Sequence, residues 1–239
     1  MRKKLLLLDF DGTLAPLAKT PQAVRLGRKI KKRLDVLSRS KNCIVVVVSG
    51  RSLKDLKSYF HSRRIIYIGN HGLELSGRGL RLPRGAQRAR RRAHFVRLLA
   101  RKLGSVFYFW EGVSVEDKGY TASLHFRNLR PDRLPVFSEL VHFYRKKYER
   151  WPVVWRRGKK VWEIRPSDAW DKGDAALHLV RKFPGALAIA VGDDKTDEDM
   201  FRALRKKAVT VRVGRWRKSR AEYYLRSQKD VVEFLERCR

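Results

Sequence analysis

Leu5-Leu6-Leu7-Leu8-Asp9-Phe10-Asp11-Gly12-Thr13 is the stretch from which the rest of the chain can be read. Four consecutive leucines lack the polar alternation of a strand with one wet face, and suit a strand buried on both faces of a parallel sheet. Such a strand delivers Asp9 and Asp11 at its carboxyl end, where Gly12 permits a tight turn. Two carboxylates at i and i+2 can lean toward one point once regular pleating stops, so that one attacks while the other handles protons. The competing reading is that both only cap the turn through side-chain hydrogen bonds.

Working outward, Thr20-Pro21 reads as a helix start, and Val24, Ile30, Leu34 and Leu37 carry the helical apolar spacing up to Ser38. Ile44 to Val48 is a β-branched run suited to a central strand, and it ends in Ser49-Gly50-Arg51. A helix is expected from about Ser52, and a third apolar run, Ile65 to Ile68, ends in Gly69-Asn70-His71-Gly72. The alternation predicts an α/β fold, a parallel sheet with helices on both faces, whose ligand sits beyond the carboxyl ends of the strands.

From about Arg84 the pattern changes. A long helix is followed by strands at Val113 to Glu116 and Tyr120 to Phe126, a helix after Pro131, and strands at Val153 to Trp155 and Lys160 to Ile164. That order predicts two helices on one side of an antiparallel sheet. After Pro166 the first pattern returns, with a helix from about Asp171, a strand at Leu187 to Val191 and the turn Gly192-Asp193-Asp194. Residues 1–83 and 166–239 are therefore assigned to a core and residues 84–165 to an inserted α+β domain.

The acidic group Asp193-Asp194-Lys195-Thr196-Asp197-Glu198-Asp199 leads into a helix containing Met200, Phe201 and Leu204. Helix capping and a favourable charge at a helix start account for Glu198 and Asp199, which are expected to face solvent. Two aspartates immediately beyond a buried strand call for a cation, and Mg²⁺ takes one or two carboxylates together with phosphate oxygens. Ser49 and Lys172 would complete a phosphate cradle. Taken singly, they read as an N-cap serine and a surface lysine.

The segments Leu8 to Leu14, Val48-Ser49-Gly50-Arg51 and Gly192 to Glu198 resemble three motifs of the haloacid dehalogenase superfamily, the last being distinctive of its trehalose-phosphatase family. Gly69 to Glu74, and Glu163-Ile164-Arg165-Pro166 followed by Lys172-Gly173, resemble further stretches of that family, and the likeness covers essentially the whole chain. It implies a haloacid-dehalogenase-like core with an inserted cap acting as a lid, and hydrolysis of trehalose 6-phosphate. In the implied chemistry Asp9 is the nucleophile and Asp11 the acid and base, with Ser49 and Lys172 on the phosphoryl group. Mg²⁺ would be held by Asp9, Asp11 through its main-chain carbonyl, and Asp193, with Asp194 and Asp197 in support. Substrate contacts are expected from Gly50, Arg51, Asn70, His71, Gly72 and Glu74, and in the cap from Lys118, His125, Arg127, Glu163 and Arg165. Another sugar phosphate, such as glucosyl- or mannosyl-3-phosphoglycerate or sucrose phosphate, is the nearest alternative, since fold does not fix substrate.

Composition agrees with a folded enzyme and excludes a low-complexity chain. The 57 lysines and arginines against 24 acidic residues give a formal charge of +33. Such an excess raises a second class of function, a nucleic-acid-binding protein on the same fold. The complete set of candidate catalytic groups speaks against a purely binding role and leaves nonspecific, charge-driven contact. The densest basic run, Arg81 to Arg101, interleaves arginines with Ala89, Ala93, Val96, Leu98 and Leu99, the pattern of a solvated helix face. Met1-Arg2-Lys3-Lys4 is not followed by an apolar run long enough for an export signal, no run approaches a bilayer span, and a cytoplasmic monomer is expected. Cys43 and Cys238 lack disulfide or zinc spacing. His61, His94, His142 and His178 are assigned structural roles, and Trp110, Trp151, Trp155, Trp162 and Trp170 core packing.

Overall fold

The computed structural model describes residues 2–18, 23–77, 79–167 and 170–238. The chain divides into two compact units, Met1–Leu82 with Trp170–Arg239, and Pro83–Ala169.

In the first unit the leucine run becomes β1 (Lys4–Asp9), paired in parallel with β2 (Cys43–Val48) on one side and β9 (Leu187–Gly192) on the other. The seven-stranded sheet has the order β11-β10-β9-β1-β2-β3-β4. Its remaining members are β3 (Ile66–Gly69), β4 (Glu74–Ser76), β10 (Val209–Val213) and β11 (Tyr223–Leu225). Only the β3–β4 edge is antiparallel. The strand order reverses at β1, so its carboxyl end lies at the topological switch point where such sheets open a crevice.

Alternation along β1 explains why the leucines cannot be replaced by polar residues on either side. Leu6 and Leu8 pack with α1 (Arg28–Arg39), α2 (Leu53–Phe60) and α7 (Val231–Arg237), through Leu34, Leu56, Phe60 and Leu235. Leu5 and Leu7 face α5 (Lys172–Lys182) and α6 (Asp197–Ala203), through Ala176, Leu179, Met200 and Phe201. All four leucines are completely buried. Each fully buried side chain contributes about 1.5–3 kcal/mol of apolar burial, which fixes the strand and with it the place where Asp9 emerges.

α1 starts at Arg28 with Gly27 as its N-cap, later than the apolar spacing predicts, and Val24 is buried ahead of it outside the helix. Thr20 and Pro21 lie outside the described residues. β4, β10, β11 and α7 have no counterpart among the elements expected from the sequence. These are short, and β11, with Tyr223 and Tyr224 exposed, lacks the apolar run that marked the central strands.

In the second unit α3 (Arg84–Val106) and α4 (Leu134–Lys147) pack on a four-stranded antiparallel sheet of order β5-β6-β8-β7. The strands are β5 (Ser114–Asp117), β6 (Ala122–His125), β7 (Val153–Gly158) and β8 (Val161–Pro166). Val96, Leu99, Leu103, Leu124, Phe137 and Ile164 form its core, with Trp110, Trp151, Trp155 and Trp162 packed around it. Trp170 instead packs against the core of the first unit. Leu98, expected on the apolar side of α3, is 48% exposed, because one residue of helical rotation from Leu99 turns it to solvent. Cys43 and Cys238 are buried free thiols, and burial, then the neighbouring Cys238, pushes Cys43 up to about 11.

Candidate active site

Asp9 is the last residue of β1 and is 3% exposed. The chain then folds tightly back, with Gly12 N–H donating to Ala15 O and Ala15 N–H to Phe10 O. Gly12 adopts φ +87°, and a Cβ there would stand 2.2 Å from Asp193 Oδ2, so both conformation and space require glycine. That close approach brings the ends of β1 and β9 together.

Lys172 opens α5, whose N-cap Asp171 forms a reciprocal capping box with Asp174. The fully enclosed ammonium donates to Asp9 Oδ1 at 2.6 Å and to Asp197 Oδ1 at 2.9 Å. Asp197 Oδ2 in turn accepts from the main-chain N–H groups of Asp193 and Asp194, at 2.9 and 3.0 Å. Thr13 Oγ1 donates to Asp193 Oδ1. Asp194 accepts from Thr196 and from Asp197 N–H, which folds the turn into α6.

Carboxylate oxygens of Asp9, Asp193 and Asp197 lie within 4.8 Å of one another. Burial, then Asp197, raises Asp9 well above the ordinary carboxylate range, against the pull of Lys172. Burial and Asp194 push Asp193 up to about 6. Burial is again the main cause for Asp197, at about 7, with Lys172 opposing it. Burial favours a neutral Lys172, but Asp197 and Asp9 overcome it and hold the ammonium charged. One lysine therefore leaves this acidic cluster short of positive charge, and a hard divalent cation fits the all-oxygen donor set. Both oxygens of Asp197 are engaged by hydrogen bonds, so Asp9 and Asp193 are the carboxylates best placed to hold it.

Asp11 is partly exposed, and its carboxylate is gripped by Arg51, Nε to Oδ2 and Nη2 to Oδ1, each at 2.7 Å. Arg51 also donates to Asp55 Oδ2 and lies over the rings of Phe10 and Tyr59, 5.2 and 5.5 Å from their centroids. Its guanidinium is thus committed to Asp11 and Asp55. Ser49 is buried beyond β2, and its Oγ accepts from Arg51 N–H.

The turn after β3 holds Asn70 and His71 at φ +48° and +55°, followed by Gly72 at +106°. Asn70 N–H donates to Arg51 O and His71 N–H to Ser49 O, which ties this turn to the end of β2. A Cβ on Gly50 would strike the His71 ring at 2.4 Å. Glu74 Oε2 accepts from Asn70 Nδ2 at 2.6 Å and from Leu53 N–H at 2.9 Å, so Glu74 braces the loop.

In the second unit, sheet register places Glu116 beside Ser123 and Ser123 beside Glu163, while Leu124 and Ile164 point to the helices. Glu116, His125, Glu163 and Arg165 therefore share the face away from α3 and α4. Glu116 Oε2 pairs with His125 Nε2 at 3.1 Å and with Lys118 at 3.7 Å, and Arg165 donates to Glu163 Oε2. Arg127 is exposed beyond β6.

Glu198 departs from the solvent-facing position expected for it. It is 8% exposed and accepts from Arg212 Nη1 at 2.8 Å, Ser219 Oγ at 2.8 Å and Arg220 N–H at 2.7 Å. Arg212, on β10, also donates to the carbonyls of Asp194 and Asp193. The pair ties the acidic turn to the neighbouring strand. Arg212 stands in the β-branched run Val209 to Val213, a strand signal that could have placed it beside the acidic turn.

A strand-end Asp-x-Asp, a strand-end serine, a lysine and an acidic turn, gathered where the strand order reverses, define a haloacid-dehalogenase-type core. The family model described as Trehalose-phosphatase matches residues 7–229, and the chain belongs to that family. A probable trehalose-phosphate phosphatase of Sinorhizobium fredii is 38% identical over 214 residues, covering 87% of this chain and 77% of that protein. Trehalose-phosphate phosphatase B of Arabidopsis thaliana is 29% identical over 249 residues; the match covers 98% of this chain but 65% of the plant protein's length. Among solved structures, the C-terminal domain of C. albicans trehalose-6-phosphate phosphatase has a TM-score of 0.80 at 24% identity, covering 98% of this chain and 91% of that one. The Aspergillus fumigatus trehalose-6-phosphate phosphatase has a TM-score of 0.64 at 26% identity, covering 99% and 92%.

Proposed function

We propose that the chain is a magnesium-dependent phosphatase that hydrolyses trehalose 6-phosphate to trehalose and phosphate through a phosphorylated Asp9. The observation that carries the reading is the ion pair between buried Asp9 and Lys172, with Asp193 and Asp197 in the same cluster. Family membership and the names of the similar proteins support the substrate.

Lys172 occupies Asp9 Oδ1, which leaves Oδ2 to attack phosphorus. The Asp9–phosphorus bond forms as the sugar oxygen leaves, and Asp11, protonated once one of its oxygens leaves the Arg51 fork, gives that oxygen its proton. Asp11 then takes a proton from the water that cleaves the acyl phosphate, releasing phosphate and restoring Asp9. Ser49 and Lys172 bind phosphoryl oxygens, and Arg51 fixes the orientation of Asp11. Asp9, the main-chain carbonyl of Asp11 and Asp193 would hold magnesium, which would neutralise charge on the phosphoryl oxygens. Gly50 leaves room for the His71 ring and Gly72 for the Asp171 carbonyl, while Lys118, His125, Arg127, Glu163 and Arg165 read the sugar hydroxyls.

The test is magnesium-dependent phosphate release from trehalose 6-phosphate beside glucose 6-phosphate, sucrose 6-phosphate and glucosyl-3-phosphoglycerate, with Asp9→Asn as control. Preference for the first, abolished in the variant, upholds the reading. Preference for another overturns the substrate, and activity that survives in Asp9→Asn overturns the nucleophile.

A further inference from the structure

Away from the acidic cluster, Arg202, Arg205, Lys206, Thr210, Arg220 and Glu222 line a cavity of about 540 Å³ between the end of α6 and the start of β10. Thr210 pairs with Ala190 in the sheet, ahead of the Arg212–Gly192 level at which the acidic turn begins. None of the six belongs to the cluster around Asp9.

Arg202 is paired with Asp199. The side chains of Arg205, Lys206 and Arg220 have no carboxylate partner among the described residues, although Arg202 of the same lining is in an ion pair. Lys206 has φ +61°, a left-handed conformation that favours glycine, in the turn where Lys207 and Ala208 N–H donate to Leu204 O. The chain thus keeps a cationic side chain where the backbone would be easier without one. Glu222 is the single carboxylate of the lining, and its N–H is held by Thr210 Oγ1 at 3.0 Å. Three unpaired cations against one carboxylate leave an excess of two positive charges. The lining has no aromatic ring, so it offers nothing on which a base would stack.

We propose that this cavity is a binding site for a compact multivalent phosphate, an anion of the pyrophosphate class. Arg205 and Arg220 supply forked donors for phosphoryl oxygens and Lys206 a point charge. The reading is independent of the reaction proposed above, since it uses none of its residues.

The experiment is calorimetric titration of the full chain with pyrophosphate, without divalent cation and at constant ionic strength. Three variants are compared with the unaltered chain: Arg205→Ala with Arg220→Ala, Lys206→Gly, and Arg88→Ala with Arg91→Ala on the exposed face of α3 as a charge-matched control. The active centre is intact in all of them, so its own contribution cancels. The proposal expects at least tenfold weaker binding in the double cavity variant and a clear loss in Lys206→Gly without loss of thermal stability. The α3 control should stay within twofold. Equal losses in the cavity and control variants would reduce the effect to general charge and overturn the site, as would absence of binding to the unaltered chain.

Discussion

Arg51 holds Asp11 by two parallel N–H···O bonds of 2.7 Å, so the carboxylate assigned to proton transfer has a fixed orientation before substrate arrives. Arg51→Lys keeps a positive charge but cannot reproduce the fork or the stacking on Phe10 and Tyr59. The expected outcome is a fall in kcat of about 10²-fold, the scale of general acid–base assistance, with a smaller change in KM. Steady-state phosphate release decides it; an unchanged kcat would show that the fork is dispensable.

Lys172→Met removes the ammonium that bridges Asp9 and Asp197 while keeping much of the side chain's length. Breaking a buried pair from one side costs about 3–5 kcal/mol, because the remaining charge is left uncompensated. Part of that cost is relieved if Asp9 or Asp197 takes up a proton, so urea unfolding of the variant should show a loss that shrinks on acidification. Phosphatase activity should disappear in the same variant.

Glu198→Gln weakens the hold on Arg212, which in turn holds the carbonyls of Asp193 and Asp194. A loss of about 1–3 kcal/mol is expected for a buried hydrogen-bonded charge left short of its partner. The magnesium concentration for half-maximal activity should rise more than KM for the sugar phosphate. Manganese binding followed by electron paramagnetic resonance would separate a loosened metal turn from general destabilisation.

Burial pushes Asp193 up to about 6 and Asp197 up to about 7 in the folded chain, against an ordinary 3.8. A carboxylate raised on folding adds stability that is complete below the unfolded value and is lost as pH climbs through the folded one. The metal-free chain should therefore lose stability between about pH 4 and pH 7. Divalent cation requires the deprotonated carboxylates, so its stabilising effect should be larger at pH 8 than at pH 5.5. Thermal unfolding with magnesium and with chelator at both pH values tests the sign; equal shifts would count against these two groups.

Gly12→Ala forces a Cβ to within 2.2 Å of Asp193 Oδ2 at φ +87°. The turn cannot hold both, so activity should fall to the level of Asp9→Asn even where circular dichroism shows a folded chain.

Much of this protein is determined by short-range pattern. Leu5 to Leu8 can satisfy both faces of a strand only inside a parallel sheet, and that places Asp9 and Asp11 at a strand end without knowledge of any other residue. The β-branched run before Ser49 and the apolar run before Asp193 do the same, so the polar groups were legible as strand-end groups. The roles of individual carboxylates were not, because a role depends on what arrives from elsewhere in the chain. Arg51 reaches Asp11 across 40 positions, Lys172 reaches Asp9 across 163, and Arg212 reaches Glu198 across 14. Local patterning settles which backbone is buried, whereas the partner and charge of a buried side chain are set by desolvation and by ions brought close only when the sheet is assembled.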